Sequence, residues 1–150
     1  MNYTIRKAKE SDLSEIILLC KEHATYERAD YERLGKAEKL YNMLFCENPH
    51  LHCLIVDCNT EIVGYAAFSK ECSTWNAAYY VYMDCLFIRE KFRGFGIGAA
   101  LVEEIVEFSK KVYAHHIEWQ TPVFNERAIK FYNRIGATGK EKMRFTLTYS

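Results

Sequence analysis

The run Arg89-Glu90-Lys91-Phe92-Arg93-Gly94-Phe95-Gly96-Ile97-Gly98-Ala99 joins an aromatic and β-branched stretch, 78–88, to the longest amphipathic stretch of the chain, 96–112. A strand that passes through glycines into a helix, followed by a further strand at 115–121, commits this part of the chain to a βαβ crossover. On the helix, Ile97, Leu101, Ile105, Phe108 and Val112 recur on one face. Glycines at 94, 96 and 98 permit positive φ and let backbone N–H groups come close to a ligand. The helix N-terminus that follows adds about half a positive charge, so the run suits an anion. Arg93, Lys91 and Arg89 add cations. A tight turn that needs glycine for geometry alone is the plainer reading of the same residues.

Around this unit the sequence predicts a strand at 3–7 and a helix at 12–26, where Leu13, Ile16, Ile17, Cys20 and Ala24 share a face and Asp12 with Glu15 can cap the start. A second helix is expected at 36–46, after a polar loop that carries Asp30 and Glu32. Strands follow at 51–57, 61–69 and 78–88, with a turn around Asn59-Thr60 and a loop near Trp75; successive hairpins in an antiparallel sheet are expected. A last helix at 125–135 carries Ala128, Ile129, Tyr132 and Ile135 inward and stops at Gly136, before a closing strand at 142–148. The order β-α-α-β-β-β-α-β-α-β is a mixed α/β arrangement in one domain. A chain of 150 residues with 49% hydrophobic and 15% aromatic residues and only 2 prolines buries a substantial core and is not disordered.

Charge and cysteines exclude several classes. Twenty basic residues balance 20 acidic ones, so no net positive charge drives binding to nucleic acid or an anionic membrane. The start, Met1 to Lys7, places charge where a secretory signal would be apolar, and no uncharged apolar run approaches the roughly 18 residues of a membrane span. A soluble cytoplasmic protein is expected. Cys20, Cys46, Cys53, Cys58, Cys72 and Cys85 form no CxxC pair, and His115-His116 lack a third ligand at metal spacing, so reduced thiols and no metal are expected.

Gly94, Gly96 and Ala99 satisfy a dinucleotide-binding pattern, with Glu118 about where its ribose acid would stand. Against this, five residues separate the strand end near Ile88 from Gly94, and too little chain follows for a second mononucleotide half. A different likeness covers nearly the whole chain. Arg93-Gly94-Phe95-Gly96-Ile97-Gly98 resembles the (Q/R)-x-x-G-x-(G/A) pyrophosphate loop of the GNAT N-acetyltransferase superfamily. Asn125 to Tyr132, with Ile135-Gly136-Ala137, resembles its downstream Asn…FYxxxGF segment. Within that superfamily the unbroken RGFGIG string and the N-E-x-x-I-x-F-Y segment are most similar to the spermidine/spermine (diamine) acetyltransferases. The Tyr26-Glu27 pair resembles their substrate-contacting pair. Where that group has two adjacent acids this chain has Asp84-Cys85; Trp75 sits about one position from their pocket tryptophan, and the C-terminus is shorter.

The resemblance implies a GNAT-type acyl-CoA N-acyltransferase fold, acetyl-CoA as co-substrate, a small amine as acceptor, and a homodimer. It implies that Leu86, Phe87, Ile88, Arg93 through Ala99, Asn125 and Ala128 bind the coenzyme, and that Tyr26, Glu27, Asp84, Glu118, Trp119 and Gln120 line the acceptor site. Acetyl transfer to an amine needs a free lone pair, a donor for the oxyanion and a proton for the departing thiolate. Asp84 matches the family's base; Tyr132 matches the tyrosine that protonates the thiolate; a backbone N–H near Leu86 or Phe87 would meet the oxyanion. Asn125 also suits a helix cap. The expected activity is acetylation of a primary amine of a cationic acceptor, a polyamine or diamine, by direct attack in a ternary complex. Acetylation of an amino acid, a protein N-terminus or an antibiotic amine stands beside it, as does an acyl-coenzyme A or dinucleotide-binding module without turnover.

Overall fold

The computed structural model describes residues 1–59 and 61–150, so Thr60 of the expected turn lies outside the described residues. The chain forms two compact units, Met1–Gln120 and Thr121–Ser150. The first holds β1 (Thr4–Lys7), α1 (Leu13–Tyr26), α2 (Lys36–Leu44), β2 (Leu51–Asp57), β3 (Ile62–Ser73), β4 (Ala78–Ile88), α3 (Ile97–Lys111) and β5 (Ile117–Glu118). The strands lie side by side in chain order; β1 to β4 are antiparallel, and β5 runs parallel to β4 after the α3 crossover.

Alternation along β2 shows how two helical layers attach. Leu54 and Val56 face α3, where they meet Ile97, Leu101 and Ile105 with Phe68, Val81 and Met83. Cys53 and Ile55 face the other way, onto Ile16 and Leu19 of α1 with Tyr65 and Phe87. Each fully buried Leu or Ile contributes about 1.5–3 kcal/mol from burial, and this fixes both helices on the sheet.

One irregularity in β4 matters for function. Cys85 pairs with Ala67 and Met83 with Phe68, so Asp84 is an extra residue opposite a single step of β3. Such a bulge reverses the alternation beyond it. Val81 and Met83 face the α3 layer before the bulge, and Leu86 and Ile88 do so after it, while Cys85 and Phe87 turn to α1.

Several expectations are corrected. The strand expected at 115–121 is reduced to Ile117–Glu118, which pairs only with Val81 and Tyr82. Asp12 stands at the start of α1 without a side-chain cap bond, because its carboxylate is taken by Arg6, at 2.8 and 3.1 Å, and by the Lys9 N–H at 2.7 Å. Arg89, expected among the cations for an anion, is held by Glu22 at 2.8 Å, by Glu15 and Glu61 at 3.5 Å, and by the Ile62 carbonyl at 2.8 Å. It ties β4 to α1 and the β2–β3 turn.

The second unit contains α4 (Glu126–Arg134). Asn125 caps it, its side chain accepting the Ala128 N–H at 3.3 Å. At the other end Gly136 takes φ of 94°, with Gly136 N–H bonded to Asn133 and Ala137 N–H to Tyr132, a Schellman closure. The closing strand expected over 142–148 is not formed. Met143, Phe145 and Leu147 alternate as a strand would, yet they are 80–87% exposed. Alternation states which face a strand would show; strand formation itself needs a partner edge for the backbone.

Candidate active site

The glycine loop begins with a single 3-10 turn at Glu90–Phe92 and leads to Gly94 and Gly96, with φ of 85° and 81°. A Cβ added at either glycine would meet nothing within 4 Å, so the need for glycine is conformational and the space beside the backbone is open. Gly98 lies in the first turn of α3. The first helical bond runs from Ala100 N–H to the Gly96 carbonyl at 3.1 Å, which leaves the amides of Ile97, Gly98 and Ala99 without backbone partners among the described residues. No acid stands in this first turn. Three amides without a backbone partner at the positive end of a helix are donors of the kind that suit an anion. Ile97 is 1% exposed and its side chain belongs to the core, so only its backbone faces that site, whereas Phe95 is exposed.

Arg93 connects this loop to α1. Its Nε donates to the Ile88 carbonyl at 2.7 Å, and its guanidinium lies 4.6 Å from the centre of the Tyr26 ring and 5.4 Å from that of Phe87. Because β5 pairs with β4 only as far as Tyr82, residues 83–88 have no strand on that side among the described residues. The backbone N–H groups of this stretch that point away from β3 therefore have no strand partner among the described residues. At its start stands Asp84, exposed, with the Cys85 thiol donating to its Oδ2 at 3.5 Å.

The end of α1 packs against the same stretch of β4. His23 stacks on Phe87, rings 5.1 Å apart, and Tyr26 lies 6.2 Å from Phe87. Glu27 accepts from His23 Nε2 at 2.6 Å. The remaining acceptor candidates divide. Glu118 is paired with His116 at 2.9 Å, Gln120 donates to the Tyr82 hydroxyl at 2.7 Å, and Trp119 packs on the α3-side core. Trp75 is almost fully exposed at the tip of the β3–β4 hairpin.

A profile of the acetyltransferase (GNAT) family matches residues 13–137. The chain belongs to the GNAT acetyltransferase family. Thialysine N-epsilon-acetyltransferases of Bos taurus and Mus musculus are 28% and 27% identical over 141 residues, covering 89% of this chain and 82% of each relative. The spermidine/spermine N(1)-acetyltransferase-like protein 1 of Homo sapiens is 26% identical over 90% of this chain and 20% of that protein. Among solved structures, an aminoglycoside acetyltransferase from an uncultured soil metagenomic sample superposes with a TM-score of 0.81 at 18% identity, covering 99% of this chain and 97% of its own, which shows the shared fold.

This GNAT protein is therefore an acetyl-transferring enzyme that acts on amines with acetyl-CoA as co-substrate. The open, acid-free loop at the start of α3 fits the coenzyme's pyrophosphate. Tyr132 and Asn125 lie in the second unit, Tyr132 half-buried against Phe131 with ring centres 5.3 Å apart. The capping role of Asn125 is observed, and it commits the Ala128 N–H to the helix. No helix among the described residues is long and apolar enough to cross a membrane, and no cluster of three metal-ligating side chains occurs among them.

The sequence did not single out His23 or Tyr65. Tyr65 is 2% exposed and its hydroxyl lies 2.9 Å from His23 Nδ1. The thiols of Cys20 and Cys85 lie beside the same hydroxyl, and burial pushes the pKa of all three groups up, so they stay protonated. The available signal was a histidine four residues before Glu27 on one helix face.

Proposed function

We propose that the enzyme acetylates a primary amine of a small cationic acceptor, a diamine or polyamine, by direct attack in a ternary complex. The observation that supports this acceptor is Asp84, an exposed carboxylate set out by the bulge at the unpaired edge of β4, the strand on which α1 stacks His23, the hydrogen-bond partner of Glu27. Acetyl-CoA supplies the thioester. In this reading the amides from Gly94 to Ala99 and the Arg93 guanidinium hold its pyrophosphate.

An alkyl ammonium has a pKa of about 10.4, so it must lose a proton before its nitrogen can attack. Asp84 accepts that proton through a water. The nitrogen then bonds to the thioester carbon while a backbone N–H near Leu86 or Phe87 meets the charge that develops on the carbonyl oxygen. As the carbon–sulfur bond breaks, Tyr132 gives its phenolic proton to the thiolate, and the second proton, which the nitrogen sheds as the amide forms, returns through water to the phenolate; a phenol of about 10 is protonated when a thiol of about 8.5 is formed. The match of Phe131-Tyr132 to the family segment supports that assignment. Cys85 stands where the diamine group has a second acid, and as a protonated, half-buried thiol it adds no charge. Glu27 supplies that acidity, and a second ammonium of the acceptor pairs with it.

The thialysine N-epsilon-acetyltransferases among the relatives favour a second reading, an amine on the side chain of a basic amino acid. A thiol-release assay over spermidine, a diamine, thialysine, a simple monoamine and a neutral amine decides between them. The expected result is faster turnover on spermidine and the diamine, with a Michaelis constant that rises with salt. Equal rates for charged and neutral amines without salt dependence would overturn the cationic acceptor.

A further inference from the structure

His23 has both ring nitrogens engaged in a way that a helix-surface histidine does not. Its side chain is 12% exposed, it stacks on Phe87 of β4, Nδ1 meets the buried Tyr65 hydroxyl of β3 at 2.9 Å, and Nε2 meets Glu27 Oε2 at 2.6 Å. Both partners constrain the proton. The Glu27 carboxylate only accepts, so a neutral imidazole carries its hydrogen on Nε2 and receives the Tyr65 hydroxyl hydrogen at Nδ1. The ring is thus fixed in plane by two hydrogen bonds and in tilt by a stacked aromatic.

The consequence falls on Glu27. A glutamate at a helix end samples several rotamers, and ordering it costs side-chain entropy. Here Oε2 is held by the imidazole, while Oε1 has no hydrogen-bond partner among the described residues and the side chain remains 31% exposed. Glu27 is also the C-cap of α1, where the helix dipole adds partial negative charge. One oriented oxygen on a negative helix end is a site for a cation.

We propose that His23 is a positioning residue for the acceptor: held by Tyr65 and Phe87, it fixes the Glu27 carboxylate so that Oε1 receives an ammonium of the substrate. This deepens the cationic-acceptor reading above and rests on it. A purely structural residue at this position would need only to pack on Phe87, and an apolar side chain would serve. The pair of bonds instead transmits the rigidity of the sheet core, through Tyr65, to a carboxylate at the site.

Side-chain length makes the test specific. Glutamine places an amide N–H near where Nε2 stands and so keeps the bond to Glu27; asparagine places its amide near Nδ1 and keeps only Tyr65. For wild type, His23→Gln, His23→Asn and Glu27→Gln, kcat and both Michaelis constants are measured by thiol release with spermidine and with a neutral amine. The His23→Asn protein is expected to show a Michaelis constant for spermidine raised about tenfold. Its kcat, its constant for acetyl-CoA and its constant for the neutral amine should stay within about twofold of wild type. His23→Gln should restore the spermidine constant, and adding His23→Asn to Glu27→Gln should cause no further loss. Equal spermidine constants for His23→Asn and wild type overturn the proposal, as does an additive loss in the Glu27→Gln background. A wild type that does not distinguish spermidine from the neutral amine overturns the acceptor reading itself. Should His23→Asn fail to fold, Tyr65→Phe, which frees the ring at Nδ1, must raise the spermidine constant in the same selective way or the proposal fails.

Discussion

Gly96 separates conformation from ligand contact at one position. It caps α3 with φ of 81°, and a Cβ built on it meets nothing within 4 Å. Gly96→Ala therefore introduces no clash; its cost is that of placing a residue with a Cβ in the left-handed region, about 1–2 kcal/mol. A domain stable by about 5–15 kcal/mol survives that loss, so the variant should fold. The methyl group occupies the open space beside the amides of Ile97, Gly98 and Ala99, where the pyrophosphate would approach. Acetyl-CoA at about one hundred times its dissociation constant stabilises the wild type by about 2.7 kcal/mol; a tenfold weaker affinity lowers that to about 1.4 kcal/mol at the same concentration. Urea unfolding with and without acetyl-CoA, followed by the fluorescence of half-buried Trp119, reads both quantities. The expected result is a loss of about 1–2 kcal/mol without ligand and a further loss of more than about 1 kcal/mol with it. Full ligand stabilisation in Gly96→Ala would refute the loop as the anion site, and an unchanged midpoint without ligand would refute the argument from φ.

Tyr132→Phe should keep acetyl-CoA affinity while turnover falls by about 10²–10⁴-fold, and turnover equal to wild type would assign Tyr132 to packing. Arg89→Met should destabilise by about 1–2 kcal/mol, with the difference shrinking in high salt because its acidic partners are partly exposed, and should leave acetyl-CoA titrations unchanged; a loss of coenzyme affinity would return Arg89 to the anion site. The Arg6 guanidinium holds the Asp12 carboxyl below its ordinary 3.8. Its folded pKa is therefore depressed, and the stability it contributes is present above that ordinary value and is lost as pH falls through the lower folded one. Asp12→Asn should be less stable than wild type at neutral pH and should lose less on acidification in unfolding curves taken across the acid range.

Features that depend on near neighbours along the chain were legible in the amino-acid order. The apolar stripe of Ile97, Leu101 and Ile105, the positive-φ glycines before it, the Asn125 cap and the Gly136 stop all operate within a few residues, and each forms at or near its expected place. The Arg93 to Gly98 and Asn125 to Tyr132 strings are contiguous and lie within the 13–137 match to the family, so the resemblance too was legible along the chain. Tertiary structure decided whatever rests on pairing between distant strands. A bulge exists only relative to the strand opposite, so nothing within 78–88 marked Asp84 as the residue set out of register. The two-residue length of β5 and the absence of a strand at 142–148 could not be read from alternation, which is present in both segments. Arg89 looked like a cation awaiting an anion until the fold brought Glu15, Glu22 and Glu61 to it. His23 and Tyr65, 42 residues apart, share a hydrogen bond because α1 packs on the face of the sheet that Tyr65 enters. Local patterns fix elements through short-range sterics and hydrogen bonds; partners distant in sequence meet only once strand register and helix packing are set.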